Sequence, residues 1–436
     1  MQYLRKLDWS RAARILCFVI GCYSLVEYID FGDPNYTVRN YLIYFLILLT
    51  AIVMIKNFIT GKMKAWFYRV LMMYSAVLLI SIGLNRSLMD TSGIILFLEM
   101  LCMFFSITDF NGKTRNEIKK EIQCYLFVFL CFVSFLNLIT VILVLSGNSV
   151  TFFSMTIPQP IRLQGFFTNP NLLGIYSVLA SVFSLYWMNR QKKQWLILLV
   201  PNMVVHCLCL YLSDSRTAQI ALAFALLVLA IYGLARWTWK SLIVMAGIGA
   251  VIVMTVVFNP FDFSVFGRNV SFQEKIQQLM ETEDEQEKEV ILNRLTSSRY
   301  SLWKESVTLA NQKPVLGNGV GTLYSASDNL ENDQSSIKQH GYFNCHNLFI
   351  NAYYSTGAVG LIVVVVLLAG LGREYVLFVK NSKNQWRSLC LILAAISVFI
   401  YSMLDIGILF DFRLLTFFFW LISGAIVHLN RSQVTV

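Results

Sequence analysis

The sequence predicts an all-α integral membrane protein with about twelve transmembrane helices and one large polar loop. Hydrophobic residues make up 57% of the chain and charged residues only 14%, whereas soluble chains carry about 25% charged residues. Apolar runs of about 20 residues, the length that a helix needs to cross a bilayer, recur as far as the C-terminus. The first run is not followed by a small-residue cleavage site, so we interpret it as a permanent helix.

Twelve apolar segments are candidate transmembrane helices within a single polytopic domain, residues 1–436. They are 12–29, 40–58, 66–84, 92–107, 123–146, 172–188, 195–212, 217–235, 241–258, 347–371, 387–410 and 412–429. Most of the nine cysteines lie inside these segments, where cysteine commonly acts as a small buried hydrophobe. Cys345 lies outside them, and we expect it to be a free thiol.

Positive charge predicts the orientation of the helices, because short cytoplasmic loops are enriched in lysine and arginine. Cations cluster in the N-terminal segment and in every second connection, whereas the intervening short connections hold only Arg39, Arg86, Arg162, Arg216 and Arg413. We therefore expect both termini in the cytoplasm and loop 259–346, between helices 9 and 10, outside. The net charge of +10 reflects this topology, so no nucleic-acid partner is expected.

Loop 259–346 is predicted to contain short helices. Residues 270–295 show amphipathic helical spacing with a solvated acidic face, and a second helix is expected from Ser298 to about Asn311. The run Pro314–Gly321 then forms a glycine-rich turn. Its G-x-G-x-G pattern is weak evidence for phosphate binding, because no strand precedes it and no P-loop lysine follows.

Two outer arginines lie beside predicted helix starts. Arg162 precedes Asn169, a plausible N-cap, and Asn171 in the first turn that follows. Ser215 directly precedes Arg216 and can cap the next helix. Positive helix ends with arginines beside them suit an anionic group at the membrane surface. The competing interpretation is that such arginines only reach towards lipid phosphates.

His346 directly precedes Asn347 and the tenth apolar segment. This position predicts a histidine at the mouth of a helix on the membrane surface. The other three histidines have simpler explanations: His206 and His428 fall in or at the end of apolar helices, and His340 is expected to be a mobile loop residue.

In their order, these motifs resemble the bacterial O-antigen polymerase and O-antigen ligase superfamily of polytopic, GT-C-like membrane glycosyltransferases. The resemblance covers roughly residues 150–370 and leaves the first five helices unassigned. It is carried by Arg162 through Gly165 to Asn169-Pro170-Asn171, Ser213-x-Ser215-Arg216, Arg299-x-x-x-Trp303 to Pro314 and Gly317-x-Gly319-x-Gly321, and His346-Asn347 followed by Gly357-x-x-Gly360. It implies glycan transfer from polyprenyl diphosphate to an acceptor sugar at the outer face of the bacterial cytoplasmic membrane.

The residue chemistry fits that reaction. Arg162, Arg216 and Arg299 are expected to bind the diphosphate, since a guanidinium can hold phosphate oxygens bidentately. His346 is expected to be the base that takes the proton of the acceptor hydroxyl. The residues expected to bind substrate or shape the site are Asn169, Asn171, Ser215, Trp303 and Asn347. No cofactor or metal is expected, because the arginines can neutralise the diphosphate and no Asp-x-Asp pair lies in the outer loops.

The main functional prediction is a polymerase that joins lipid-linked repeat units into a capsule, exopolysaccharide or O-antigen-like chain. Its expected partners are the lipid-linked donor and acceptor, the bilayer, and a flippase and chain-length regulator of the same pathway. A ligase that moves a finished glycan to a different acceptor would use the same donor chemistry. A flippase for the lipid-linked glycan would need cations inside the membrane, yet Arg69 lies near a predicted helix end and Glu99 has the wrong sign.

Overall fold

The computed structural model describes residues 8–431 except 26–36, 86–90, 148, 153–154, 158–162, 189–192, 237–279, 283, 297, 331–334, 383 and 406. Its helices are α1 (Trp9–Leu25), α2 (Thr37–Ile59), α3 (Trp66–Leu84), α4 (Thr91–Cys102), α5 (Arg115–Ser146), α6 (Pro170–Met188), α7 (Lys193–Leu212), α8 (Arg216–Arg236), α9 (Glu285–Thr296), α10 (Arg299–Gln312), α11 (Leu323–Ala326), α12 (Ser336–His340), α13 (Leu348–Lys380), α14 (Gln385–Ser402) and α15 (Leu414–Arg431). A π-helical turn, Met103–Ile107, continues α4. Strands β1 (Val150–Phe152) and β2 (Met155–Ile157) form a small antiparallel hairpin.

The predicted helical membrane fold is confirmed, with this hairpin as the one sheet in the described part of the chain. By length and composition, seven described helices can cross a membrane: α2, α3, α5, α6, α13, α14 and α15. Shorter apolar stretches occur in α7, α8 and the segment formed by α4 and its π turn. Among the described residues, eleven of the twelve predicted segments are helical over most of their length. The ninth, 241–258, lies outside the described residues.

Two predicted helices are cut short or interrupted. The predicted helix 387–410 ends at Ser402 and α15 begins only at Leu414, because Asp405 and Gly407 are poor helix formers in the segment between them. The predicted helix 270–295 is interrupted at residues 282 and 284, where clustered acidic side chains would repel one another on a helix surface. The helix predicted from Ser298 is confirmed as α10.

The last helix, α15, lies at the centre of the bundle. Its most apolar 18-residue window is 89% buried. The ring of Phe418 packs edge-on against Phe129 of α5, with centroids 4.8 Å apart, and also against Phe183 of α6. At Gly424 an added Cβ would lie 2.5 Å from Thr108 Cα, so the glycine lets the segment after the π turn pack directly on α15. The N-terminal and C-terminal parts of the chain therefore share one core.

Side-chain contacts join helix ends into two sets. At one end of the bundle, Trp386 at the start of α14 donates from Nε1 to the carbonyl oxygen of Leu185 near the end of α6, over 3.1 Å. Fully buried Arg14 of α1 pairs there with Glu121 near the start of α5, over 2.8 Å. Both contacts involve ends that the charge pattern predicts to be cytoplasmic. The opposite ends of α6, α7, α8, α13 and α14 hold most of the predicted site residues.

Helix α13 is broken at Gly357, where φ is 63° and ψ is −166°, a region that is essentially restricted to glycine. The glycine-rich segment Pro314–Gly321 occupies the break. Ala358 N–H donates to the first carbonyl of this segment over 2.8 Å, and Gly319 N–H donates to the Ser355 carbonyl over 3.0 Å. Loop 259–346 thus satisfies backbone groups that the broken helix leaves unpaired. The G-x-G-x-G run therefore has a structural role in docking the loop onto the helix.

Candidate active site

The centre of the candidate site is Asp405, in the irregular connection between α14 and α15. Its side chain is 8% exposed. Oδ1 accepts a hydrogen bond from His346 Nδ1 over 3.0 Å. Oδ2 accepts from Arg299 Nη2 over 2.8 Å and from Asn171 Nδ2 over 2.9 Å. One carboxylate therefore joins the α14–α15 connection to α6, to α10 and to the segment that leads into α13.

His346 is held in place by the cap of α13. Its φ is 46°, an uncommon value for a residue with a side chain, and its N–H donates to Asn344 Oδ1 over 3.0 Å. Asn347 is the N-cap, since its Oδ1 accepts from two backbone N–H groups of the first turn. Asn347 Nδ2 donates to the carbonyl oxygen of Met403 over 2.8 Å. The same residue thus caps the helix that follows His346 and ties it to the connection that carries Asp405.

The contact between His346 and Asp405 determines which imidazole nitrogen can act on a substrate. A carboxylate can only accept hydrogen bonds, so Nδ1 carries the hydrogen and Nε2 of the neutral ring has a free lone pair. The ring packs edge-on against Tyr342, with centroids 5.3 Å apart, and the side chain is 19% exposed. Burial raises the pKa of Tyr342, and the nearby Arg299 partly offsets this effect. Tyr342 is therefore a neutral wall, and Nε2 is positioned to accept a proton.

The starts of α6 and α8 contact each other beside Asp405. Asn169 Oδ1 accepts from Leu172 N–H over 2.9 Å, which confirms it as the α6 cap. Ser215 Oγ accepts from Ala218 N–H over 3.3 Å at the start of α8, and it donates to Asn171 Oδ1 over 3.1 Å. Because Asn171 also donates to Asp405, the two helix N-termini and the carboxylate form one hydrogen-bonded chain. Partial positive charge at both helix ends adds to the positive potential of this region.

Arg299 is the first residue of α10, and its side chain is 17% exposed. Besides Asp405, it contacts Thr217 in the first turn of α8, where Nη1 donates to Oγ1 over 3.2 Å. The guanidinium therefore lies between the carboxylate and a helix N-terminus. Trp303, one turn further along α10, packs against the buried cluster that residues of loop 259–346 form with Tyr354 of α13, and its Nε1 is buried without a hydrogen-bond partner among the described residues. From this helix, Arg299 therefore bonds to Asp405, and Trp303 has a packing role.

The other two predicted arginines are placed less directly. Arg216 is an exposed residue at the first position of α8, adjacent in sequence to Thr217, which contacts Arg299. Arg162 lies outside the described residues. The next residue, Leu163, donates from its N–H to the carbonyl of Leu212 at the end of α7 over 3.4 Å. The backbone that follows Arg162 is therefore anchored near the start of α8.

No sequence motif indicated Asp405 as a site residue, nor Asp411 and Arg413 in the same connection. Asp411 Oδ1 lies 3.3 Å from Arg413 Nε. Burial raises the pKa of Asp411, and the Arg413 charge opposes this rise. A signal was present, because ionisable residues within apolar segments are candidates for functional sites. The segment 387–410 is apolar enough to predict a continuous membrane helix, and this prediction gives its aspartate no role.

A small open pocket lies beside His346 and Asp405. Its empty volume is about 220 Å³, including space that opens to solvent. Its lining comprises Asn344, His346, Asn347, Leu348, Asn351, Ser402, Asp405, Gly407 and Leu409. In the described part of the chain, no three His, Cys, Asp or Glu side chains are grouped as metal ligands.

The fold and the site together define a polytopic helical membrane protein with an arginine–aspartate–histidine site at one end of its bundle. Residues 201–365 match the family model described as O-antigen ligase. This match supports membership of the chain in the O-antigen ligase and polymerase superfamily, and it supports a ligase or polymerase type of function. It includes His346 and Arg299, whereas Asn171 and Asp405 lie outside the matched residues. No curated protein matches the chain.

Proposed function

We propose that the protein is a polysaccharide polymerase that transfers a glycan from polyprenyl diphosphate to the end sugar of another lipid-linked repeat unit. The observation that carries this proposal is the position of Asp405. Its carboxylate holds His346 through one oxygen and Arg299 through the other, next to a pocket. This arrangement supplies a base and a cation, the two groups that glycosyl transfer from a diphosphate requires.

In the proposed reaction, Nε2 of His346 takes the proton of an acceptor hydroxyl. The hydroxyl oxygen attacks the anomeric carbon of the donor sugar and forms the new glycosidic bond. The bond from that carbon to the phosphate oxygen breaks, and the diphosphate leaves with the electron pair. Asp405 keeps the imidazole in the reactive tautomer and stabilises its protonated form, as the carboxylate does in a serine protease triad.

The leaving diphosphate is proposed to bind at the starts of α6 and α8. Arg299 lies beside the first turn of α8 through its contact with Thr217, and Arg216 is exposed at that helix start. Arg162 precedes α6 and would add a third cation. Charge that develops on the diphosphate is stabilised more strongly in the transition state than in the ground state, which is how cations accelerate such a step. The three arginines would allow catalysis without a metal ion or other cofactor.

The proposed location is the cytoplasmic membrane of a bacterium, with both termini inside and the site on the outer face. The lysine and arginine distribution supports this orientation. The donor and acceptor would then be lipid-linked oligosaccharides that a flippase of the same pathway has moved outward. A chain-length regulator is a further proposed partner.

The lipid-linked glycans of cells that lack the protein distinguish a polymerase from a ligase. Single-repeat intermediates without polymer are expected if the protein is a polymerase. Long lipid-linked chains that accumulate unattached would instead identify a ligase, the activity named in the description of the matching family. Accumulation of the repeat unit on the inner leaflet would point to a flippase.

The role of His346 is tested by His346→Gln with purified lipid-linked donor. Glutamine keeps a hydrogen-bonding group but cannot take up a proton at neutral pH, so a loss of roughly 10²–10⁴-fold is expected. His340→Gln is a matched control, since among the described residues His340 bonds to the carbonyl of Ser336 on its own short helix and stacks on Tyr342. Normal turnover by His346→Gln, with the same pH profile as the wild type, would contradict the base assignment.

A further inference from the structure

Most polar groups around the pocket beside His346 are already used by the fold. Asp405 accepts through both oxygens. Asn347 uses its Oδ1 to cap α13 and its Nδ2 to bond Met403. Ser402 Oγ donates to the Val398 carbonyl over 2.7 Å and accepts from a backbone N–H over 3.2 Å. These groups hold the pocket in shape and have little capacity left for a ligand.

Three polar groups of the pocket bond to no other described residue: Nε2 of His346, Nδ2 of Asn344 and the whole side-chain amide of Asn351. Asn344 uses only its Oδ1, which accepts from His346 N–H. Asn351 makes the first backbone bond of α13, to the Asn347 carbonyl over 2.8 Å, and the residue is part of the pocket lining. Asparagine is a poor helix former, and here its amide makes no bond within the described part of the protein that offsets this cost. These three groups are therefore the ones that a polar ligand can use.

The groups of Asn344, His346 and Asn351 lie along the start of α13, in an arrangement that can bind a sugar. Asn347 caps the helix directly after His346, and Asn351 lies one turn further on, on the same helix face as Asn347. An amide both donates and accepts, and so does a sugar hydroxyl. Leu348, Gly407 and Leu409 complete the lining of the pocket.

We infer that Asn351 is a specificity-determining residue that binds a second hydroxyl of the acceptor sugar, adjacent to the hydroxyl that attacks through His346. This inference rests on the proposed function and identifies the ligand of the pocket as the end sugar of the acceptor glycan. The donor diphosphate binds elsewhere, at the starts of α6 and α8. Loss of Asn351 should therefore affect the acceptor and leave donor binding unchanged.

The test uses the repeat-unit oligosaccharide carried on an octyl glycoside, a probe that can act only as an acceptor because it has no diphosphate. The native lipid-linked unit serves as donor. In a series of probes, each lacks one hydroxyl of the end sugar. For the wild type, the probe that lacks the attacking hydroxyl gives no product. The probe that lacks its neighbour is expected to show a kcat/KM roughly tenfold lower, about the effect of one lost hydrogen bond.

Asn351→Ala is expected to lower kcat/KM for the complete acceptor by the same roughly tenfold factor, and to show no further loss with the probe that lacks the neighbouring hydroxyl. The donor KM should not change. Asn351→Leu keeps the branched shape of the side chain without its amide and is a better helix former. It should behave in the same way, and it serves as the test if the alanine variant is unstable. Asn311→Ala is the matched control, since that exposed asparagine accepts a bond from Tyr353 OH and does not line the pocket.

The possible failures are distinguishable. One outcome is that the wild type extends the complete probe while the Asn351 variants show the same loss of kcat/KM with each deoxy probe as the wild type. In that case the inference about Asn351 is wrong and the proposed function stands. If the wild type transfers no glycan to the complete acceptor, the proposed function fails and the inference fails with it.

Discussion

At the scale of single residues, Asp405 determines how the site is built, because each of its oxygens is bonded to a group of opposite or potentially opposite charge. Arg299 and Asp405 are both mostly buried, with 17% and 8% of their side chains exposed. Removal of one partner from such a pair leaves a charge that is poorly solvated and poorly bonded. The pair should therefore affect stability as well as activity, and the two effects can be separated.

We predict that Arg299→Ala inactivates the protein and destabilises it by about 2–3 kcal/mol, the range for hydrogen bonds to charged groups. The double variant Arg299→Ala/Asp405→Ala should recover part of the stability and stay inactive, since no unpaired charge remains. Thermal unfolding in detergent measures the stability, and in vitro glycan transfer measures the activity.

The ion pair of Lys304 and Glu289, also 2.8 Å long but 59% and 37% exposed, is the control. Its removal should cost less than about 1 kcal/mol. Equal stability of all these variants would refute a structural role for the buried pair.

A second residue-scale prediction concerns Cys345. The expected free thiol is confirmed, and it is fully buried next to Ser306. Burial raises the pKa of Cys345 to about 12, so the reactive thiolate is absent over the range in which maleimides are used. In a background without other cysteines, Cys345 should resist maleimide between about pH 7 and 9 and react fully once the protein is denatured. Ser325→Cys, at an exposed position of loop 259–346, should label at once. Fast labelling of native Cys345 would show that this part of the loop opens in solution.

At the scale of elements, the sequence predicted helices more reliably than the breaks within them. Apolar runs predict most of the membrane segments, and the start at Ser298 predicts α10. Both signals are local properties of the sequence. The end of α14 at Ser402 and the break at Gly357 were missed. Both breaks are stabilised by groups distant in the chain, such as the Pro314 carbonyl that bonds to Ala358 N–H. A local pattern contains no information about such a partner.

The break in α13 provides the element-scale prediction. Gly357→Ala would place a Cβ 2.2 Å from the Val315 carbonyl group and force a side chain into a conformation reserved for glycine. We expect at least about 2–3 kcal/mol of destabilisation, measured as a lower unfolding temperature in detergent, together with loss of activity. Gly372→Ala on the same helix is the control. A Cβ there meets no atom within 4 Å, and alanine is preferred over glycine in a helix by up to about 1 kcal/mol, so this variant should be at least as stable as the wild type. A stable Gly357→Ala protein would mean that the loop does not dock through this break.

At the scale of the whole molecule, the site is an assembly of helix ends that only the folded bundle brings together. Asn171 and Asp405 are 234 positions apart in the chain and 2.9 Å apart in space. The sequence motifs identified Asn171, Ser215, Arg299, His346 and Asn347 individually, because each marks a helix start or a short recognisable run. Asp405, the common partner of Asn171, Arg299 and His346, lies in a connection whose hydrophobicity predicts a membrane span. One-dimensional patterns thus gave most of the contributors to the site but not the carboxylate that connects them.

The last prediction tests the orientation of the whole bundle in the membrane. If the starts of α6, α8 and α13 face outward, as the charge pattern predicts, the exposed residues Glu287 and Ser325 of the outer loop are accessible from outside. Cysteines placed there should react with a membrane-impermeant maleimide in intact cells or protoplasts. Cysteines at exposed Lys119 and Asn384, near the starts of α5 and α14 at the opposite end, should react only after lysis. The candidate site lies at the starts of α6, α8 and α13. Labelling of Lys119→Cys or Asn384→Cys in intact cells would therefore place Asp405 on the cytoplasmic face, where an outward-facing lipid-linked donor could not reach it.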